Sequence, residues 1–97
     1  MDFEFHSEEL KELYVTGKCS RRYDVSIVKA FFKRISLIAA AKNENDLRKI
    51  KSNHFEKLKG YNDQYSIRLN DKMRLIFNIR KSESGNLLSI LDIKDYH

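Results

Sequence analysis

Hydrophobic positions recur at helical spacing through the first half of this chain and at every second residue through much of the rest, so helices precede a sheet. Ahead of the helices, Phe3 and Phe5 alternate with Asp2 and Glu4, which predicts a short strand. Ser7 can cap the helix that follows by accepting a first-turn amide; Leu10, Leu13 and Tyr14 form its apolar face and Gly17 its stop. Asp24 is placed to cap the main helix, where Val28, Phe31, Phe32, Ile35, Ile38 and Ala39 fall on one side. Asn43 opens a shorter third helix carrying Leu47 and Ile50.

The period then changes. Tyr65, Ile67 and Leu69 alternate with Ser66, Arg68 and Asn70, the mark of a half-buried strand. Asn70-Asp71 reads as a tight two-residue hairpin turn, since both residues tolerate positive φ. In the partner strand Met73, Leu75, Phe77 and Ile79 share one face, and Lys72, Arg74 and Asn78 the other. Ser82 to Asn86 predicts a second turn, and Leu87 to Ile93 is apolar on both faces, as an interior strand is. The expectation is a single α+β domain over residues 1–97, an N-terminal strand and helices packed on an antiparallel β-sheet in two layers.

Composition adds limits to this picture. Ninety-seven residues, 41% hydrophobic and 34% charged, suit one continuous core and leave no room for a second. The longest apolar stretch, Ile35 to Ala41, is interrupted by Ser36 and is too short for a bilayer, so no membrane partner is expected. The acidic start Met1-Asp2-Phe3-Glu4 is unlike a basic leader, and the expected location is the cytoplasm. Cys19 is the only cysteine, and no Cys/His cluster has zinc spacing, so neither a metal nor another cofactor is expected. Lys and Arg number 19 against 14 Asp and Glu, a net charge of +5. Between Lys42 and Lys81, 11 basic and 5 acidic residues leave +6, which points that half of the chain at a polyanion.

Several residues there can carry chemistry. If the hairpin pairs as predicted, Arg68 and Arg74 project from one sheet face as neighbours, an arrangement that needs an anion or a carboxylate to offset it. Either the two clamp a phosphate or they pair with acids such as Asp92 and Asp95. Lys59, beside Gly60, can stabilise developing negative charge. Tyr61 and Tyr65 interleave with cations, among them Lys57 and Lys72, so that rings stack bases while lysines hold the backbone. The chain ends Asp95-Tyr96-His97, and a histidine titrates where proton transfer near neutrality requires. His6 and His54 have no partner pattern and read as packing or surface residues, and Cys19 as incidental.

Three blocks, in order, make the chain resemble the host-inhibition-of-growth (HigB) toxins of the RelE/ParE superfamily. The first is Gly17-Lys18-Cys19-Ser20-Arg21-Arg22 leading into Val28-Lys29. The second is Leu58-Lys59-Gly60 followed by Tyr65-Ser66-Ile67-Arg68-Leu69-Asn70-Asp71 and Arg74-Leu75-Ile76-Phe77. The third is the terminal Asp95-Tyr96-His97. Two departures accompany the likeness: Tyr61-Asn62 stand where the family commonly has charged residues, in a loop one residue shorter, and Met73 stands where an aromatic residue is frequent.

The resemblance implies a RelE-like two-layer fold and a ribosome-dependent messenger-RNA endonuclease. It also implies a helix-turn-helix, HigA-like antitoxin that neutralises the toxin in a hetero-oligomer. Under that reading His97 and Tyr96 transfer protons, Asp95 orients the histidine, and Arg74 and Lys59 stabilise the reacting phosphate. Arg68, Lys57, Tyr65 and Lys72 then bind RNA. A gyrase-directed toxin on the same fold, which has no need of the terminal Tyr-His pair, and a non-catalytic RNA- or ribosome-binding module are the competing expectations.

Overall fold

Each α-helix begins where a short polar side chain takes an orphan amide. In the computed structural model, which describes residues 1–18, 22–60, 63–82 and 85–95, the Ser7 hydroxyl accepts from Leu10 N–H and starts α1 (Glu8–Thr16). Gly17 closes that helix in the left-handed region at φ 66°, its N–H donating to the Leu13 carbonyl. Asp24 accepts from Ile27 N–H at the head of α2 (Val25–Ala40), and Asn43 accepts from Asn45 N–H at the head of α3 (Glu44–Lys49). The predicted basic loop falls between α1 and α2, where residues 19–21, Cys19 included, lie outside the described residues.

Five strands form one sheet in the order β1-β5-β4-β3-β2. They are β1 (Asp2–Phe5), β2 (Glu56–Lys57), β3 (Gln64–Arg68), β4 (Met73–Ser82) and β5 (Gly85–Asp95). The pairs β2–β3, β3–β4 and β4–β5 are antiparallel, as expected; β1 runs parallel to β5, which the local pattern does not specify. β5 has a neighbour on both sides, in keeping with its apolar faces. A bulge lets Ile76 pair with Asp92 and Phe77 with Ile90, so Ile90 and Ile93 both reach the core while Asp92 faces away.

The helices cover one face only. Phe31, Ile35 and Ile38 of α2 and Leu10 of α1 meet Ile67, Leu75, Phe77, Leu88 and Ile90, all at most 2% exposed. At the β1 edge Phe3, Phe5, Tyr14, Phe31 and Phe32 form a chain of ring contacts with centroids 5.3–6.3 Å apart. Among the described residues no helix is long and apolar enough to cross a membrane.

Three expectations need correction. The β3–β4 turn is wider than Asn70-Asp71: Arg68 pairs with Arg74, and the Asn70 carbonyl oxygen of the side chain accepts from both Lys72 and Met73 N–H. With it, Leu69 and Asn70 N–H donate to the Met73 carbonyl to close the turn, and neither Asn70 nor Asp71 takes positive φ. The second turn is narrower than Ser82 to Asn86, because Lys81 pairs with Asn86 and Ser82 with Gly85. A single-turn 3-10 helix (Lys51–Asn53) and the two-residue β2 add an edge to the sheet that no periodicity marked.

Candidate active site

Strand register assembles the site. On the face that the helices leave uncovered, Arg68 of β3 stands opposite Arg74 of β4, and Arg74 opposite Lys94 of β5. Neighbouring strands lie about 4.8 Å apart, so three cations form one row across the sheet. Like charges set side by side repel, and such a row attracts an anion. Arg68 and Arg74 are neighbours as the sequence predicts; Lys94 was not singled out, because only the β4–β5 register reveals it.

Arg74 is the buried member at 8% exposure. Its Nε donates to the Ser66 hydroxyl at 2.8 Å, and one Nη reaches the backbone carbonyls of Ser66 and His54. These acceptors fix the orientation of the guanidinium. Arg68 is half-buried, with Nε donating to the Asn70 carbonyl at 3.1 Å and Nη2 paired with Asp71. The carboxylate beside Arg68 is therefore Asp71 rather than Asp92; Asp92 lies 3.7 Å from Arg22. Lys94 is exposed at the far end of the row.

His54 is the residue that sequence reasoning set aside. It sits between the 3-10 turn and β2 at φ 44°, alone among the described non-glycine residues in having positive φ. Its carbonyl accepts from Arg74, and its Nε2 lies 3.3 Å from Arg68 Nη1. One residue thus touches both arginines, and its strained backbone is the kind of feature that gathers at functional sites. No hydrophobic spacing marks such a residue; only the closing of the sheet edge against β3 does.

The remaining predicted residues distribute around the row. Asp95 is exposed at the end of β5, opposite Met73 and next in sequence to Lys94. Tyr96 and His97 lie outside the described residues, as does Tyr61. Lys59 is exposed in the turn after β2, and Lys57 is exposed on β2 opposite Tyr65, on the outer edge of the sheet. Lys72 stands apart: with Arg22, Asp24, Ile27, Asn70 and Met73 it lines a depression of about 270 Å³ at the head of α2. There the Ile27 amide, and then the Ser26 hydroxyl, hold the Asp24 carboxyl below its ordinary pKa.

Tyr65 faces the other way. Its ring packs on Phe55 and Phe77, with centroids 5.4 and 6.3 Å away, on the helix side of the sheet. Alternation along β3 puts it opposite in sense to Ser66 and Arg68, so Tyr65 does not share a face with the arginines, and of the sequence-predicted cations only Lys57, paired with it across β2, lies on its side. The surface expected to stack a base is occupied by Phe55 and Phe77.

A family model described as the RelE-like toxin of the type II toxin-antitoxin system HigB matches residues 3–97. A Vibrio cholerae protein called Toxin HigB-1 is 38% identical over 78 residues, covering 79% of this chain and 82% of its own. An uncharacterised Haemophilus influenzae protein is 32% identical over 84 residues, covering 86% of this chain and 83% of its own. Among solved structures, a YoeB/ParE toxin from Agrobacterium tumefaciens matches with a TM-score of 0.60 at 15% identity, over 100% of both chains. The YoeB dimer from Staphylococcus aureus matches at 0.56 and 20% identity, over 100% of this chain and 97% of its own. At those identities the two structures speak for the RelE-like α+β fold alone. With that fold beneath a family pattern that runs from β1 to residue 97, the chain belongs to the HigB group of RelE-like toxins of type II toxin–antitoxin systems, whose members have an antitoxin as partner.

Proposed function

We propose that this toxin is a ribosome-dependent messenger-RNA endoribonuclease that cleaves without a metal ion. The observation that carries the reading is the row Arg68, Arg74 and Lys94 on the open face of the sheet, beside the end of β5. RNA brings its own nucleophile. The 2′-oxygen attacks the adjacent phosphorus, the bond from phosphorus to the 5′-oxygen breaks, and a 2′,3′-cyclic phosphate and a 5′-hydroxyl result. A base takes the 2′-hydroxyl proton, an acid protonates the departing 5′-oxygen, and cations offset the extra charge on the phosphorane.

Arg74 suits the last task, since Ser66 and the His54 carbonyl hold its guanidinium before substrate arrives. Arg68 and Lys94 flank it and bind the phosphodiester on either side, while Lys59 in the turn after β2, and Lys57 at the β2 edge on the Tyr65 side, add cations at the rim of the sheet. Proton transfer falls to His97 and Tyr96, with Asp95 orienting the imidazole; the family ending supports these roles. The His54 ring, 3.3 Å from Arg68, is a second imidazole at the row. Tyr65 has no part in this account.

Primer extension on total RNA after brief induction tests the reading. Cuts within translated messages are expected; DNA damage in their place identifies a gyrase-directed toxin, and growth arrest with neither identifies a binding module. Toxin stripped with chelator and dialysed should cut programmed ribosomes at an unchanged rate, whereas activity restored by a single transition metal ends the metal-free mechanism. The antitoxin partner is a HigA-like helix-turn-helix protein in a hetero-oligomer, acidic where it covers the basic edge. Co-expression with the neighbouring reading frame should yield a co-purifying, non-toxic complex.

A further inference from the structure

Arg34 lies outside the cation row, yet it is the one charged side chain on the buried face of α2, 7% exposed beside Phe31, Ile35 and Ile38. Burying a guanidinium is costly, and a Leu or Met would pack at this position without that cost. Burial, and after it the charge of Arg68, lowers the Arg34 pKa from the ordinary arginine value; the group stays protonated all the same.

Its hydrogen bonds are specific. Nε donates to the Arg68 carbonyl at 2.8 Å and Nη2 to the Ser52 carbonyl at 3.4 Å. Both acceptors lie where regular pairing runs out: β2 pairs with β3 only at Tyr65 and Ser66, and Ser52 belongs to the single-turn 3-10 helix. A carbonyl with no ladder partner there takes a donor from elsewhere, here from the partly buried guanidinium. A planar guanidinium can hold two such carbonyls at once, which a lysine cannot do with the same geometry.

Those two carbonyls belong to the segments that build the candidate site. Arg68 reaches Asp71 and His54 with its side chain, and His54, two positions after Ser52, accepts from Arg74 with its carbonyl. We propose that Arg34 is a positioning residue of the active site: from beneath the sheet it fixes the end of β3 against the 3-10 turn, and so sets where the Arg68 and Arg74 guanidinium groups stand on the open face. The consequence for rate rests on the cleavage reading above; the geometric consequence does not.

Arg34→Met and Arg34→Lys, made in the full chain, test this with two readings. In the first, the ¹⁵N–¹H signals of the Arg68 and Arg74 Nε–H groups are compared with wild type, alongside a thermal melt. Arg34→Met should fold, melt somewhat earlier than wild type and move both signals, and Arg34→Lys should return them part of the way. In the second, single-turnover cleavage of programmed ribosomes should fall about 10- to 100-fold in Arg34→Met at unchanged ribosome affinity, as small misplacement of a reacting group produces. Arg34→Lys should recover part of that rate. Unmoved signals in a folded Arg34→Met, or an unchanged cleavage rate, overturns the proposal. If wild type itself does not cut, the cleavage reading fails, and the signals still decide the positioning role. Should Arg34→Met not fold, the signals of Arg34→Lys decide it.

Discussion

Under the proposed cleavage Arg74 serves two ends with one guanidinium, since the group proposed to meet the phosphate also ties β4 to Ser66 and to the chain before β2. Its loss therefore differs from loss of an exposed cation. Arg74→Ala takes a donor from the Ser66 hydroxyl and the His54 carbonyl, and a buried polar group left unsatisfied costs about 1–3 kcal/mol. For a chain of this length each kcal/mol lowers the melting temperature by roughly 4–8 °C. Arg74→Ala should thus lose cleavage and melt measurably earlier; a melt identical to wild type would show that the anchoring bonds contribute nothing. His97→Ala should behave in the opposite way. It follows the last described residue of β5 by two positions, and if its role is proton transfer alone its truncation should change stability by no more than about 0.5 kcal/mol. Loss of a general acid or base slows a reaction by roughly 10²–10⁴. Cleavage at near wild-type rate by His97→Ala removes His97 from the mechanism. His54 can be dissected more finely, because its carbonyl and its ring do different things. Glycine is at ease at φ 44°, so His54→Gly keeps the carbonyl for Arg74 and deletes only the ring. Relief of strain and added chain freedom offset one another, so stability should change by less than about 1 kcal/mol. A cleavage rate that falls in this variant while the melt holds assigns the imidazole a part; an unchanged rate leaves His54 as an anchor for Arg74 only.

Among the elements, what the sequence discloses is whatever local rules control. Ser7, Asp24 and Asn43 start helices because a side-chain oxygen near a free amide is a matter of a few residues, and Gly17 ends one for a similarly local reason. The cap at Asp24 also has a pH signature. Hydrogen bonds from Ile27 N–H and Ser26 lower its pKa in the folded chain, so the stability it contributes is full above the unfolded carboxyl pKa and disappears as pH falls through the folded one. Asp24→Asn keeps an acceptor but does not titrate. Melts from about pH 7 to about pH 2 should show wild type losing ground to Asp24→Asn at the acid end; a difference constant with pH contradicts the cap's charge dependence. The features that escaped the sequence are held by distant partners. β1 pairs with β5 across almost the whole chain, β2 is two residues long, and its neighbouring 3-10 turn is fixed by Arg34. Asn70 was recognised as a turn residue, but its side chain bonds Lys72 and Met73 in a wider turn than its backbone suggests. The same division runs through the site. Arg68 and Arg74 were legible because one hairpin joins them, whereas Lys94 and His54 enter through β5 and the sheet edge, whose register no single segment encodes.

At the scale of the whole molecule, the strand order separates charge. Residues 1–17 hold five acids (Asp2, Glu4, Glu8, Glu9, Glu12) against Lys11, and they form β1 and α1 at one edge, where Tyr14 packs on Phe3. Residues 42–81, with their excess of +6, form α3, β2, β3 and β4 toward the other edge. The chain thus presents a gradient across its sheet rather than a uniform +5, and a gradient orients approach to a polyanion as well as hastening it. Opposed substitutions test this. Lys57, Lys59, Glu8 and Glu12 are all exposed, so neutralising them leaves the core alone. Each phosphate contact contributes about 0.7–0.9 to the slope of log affinity against log salt. Lys57→Gln with Lys59→Gln should weaken ribosome binding and lower that slope by about 1–2. Glu8→Gln with Glu12→Gln raises the net charge by the same amount and should leave the slope unchanged, as approach of the polyanion from the basic edge requires. Ribosome affinity measured over a salt series for both pairs distinguishes an oriented encounter from simple net attraction: equal and opposite effects of the two pairs would mean that only total charge matters, and the separation of charge along the sheet would then have no bearing on how this toxin meets a polyanion.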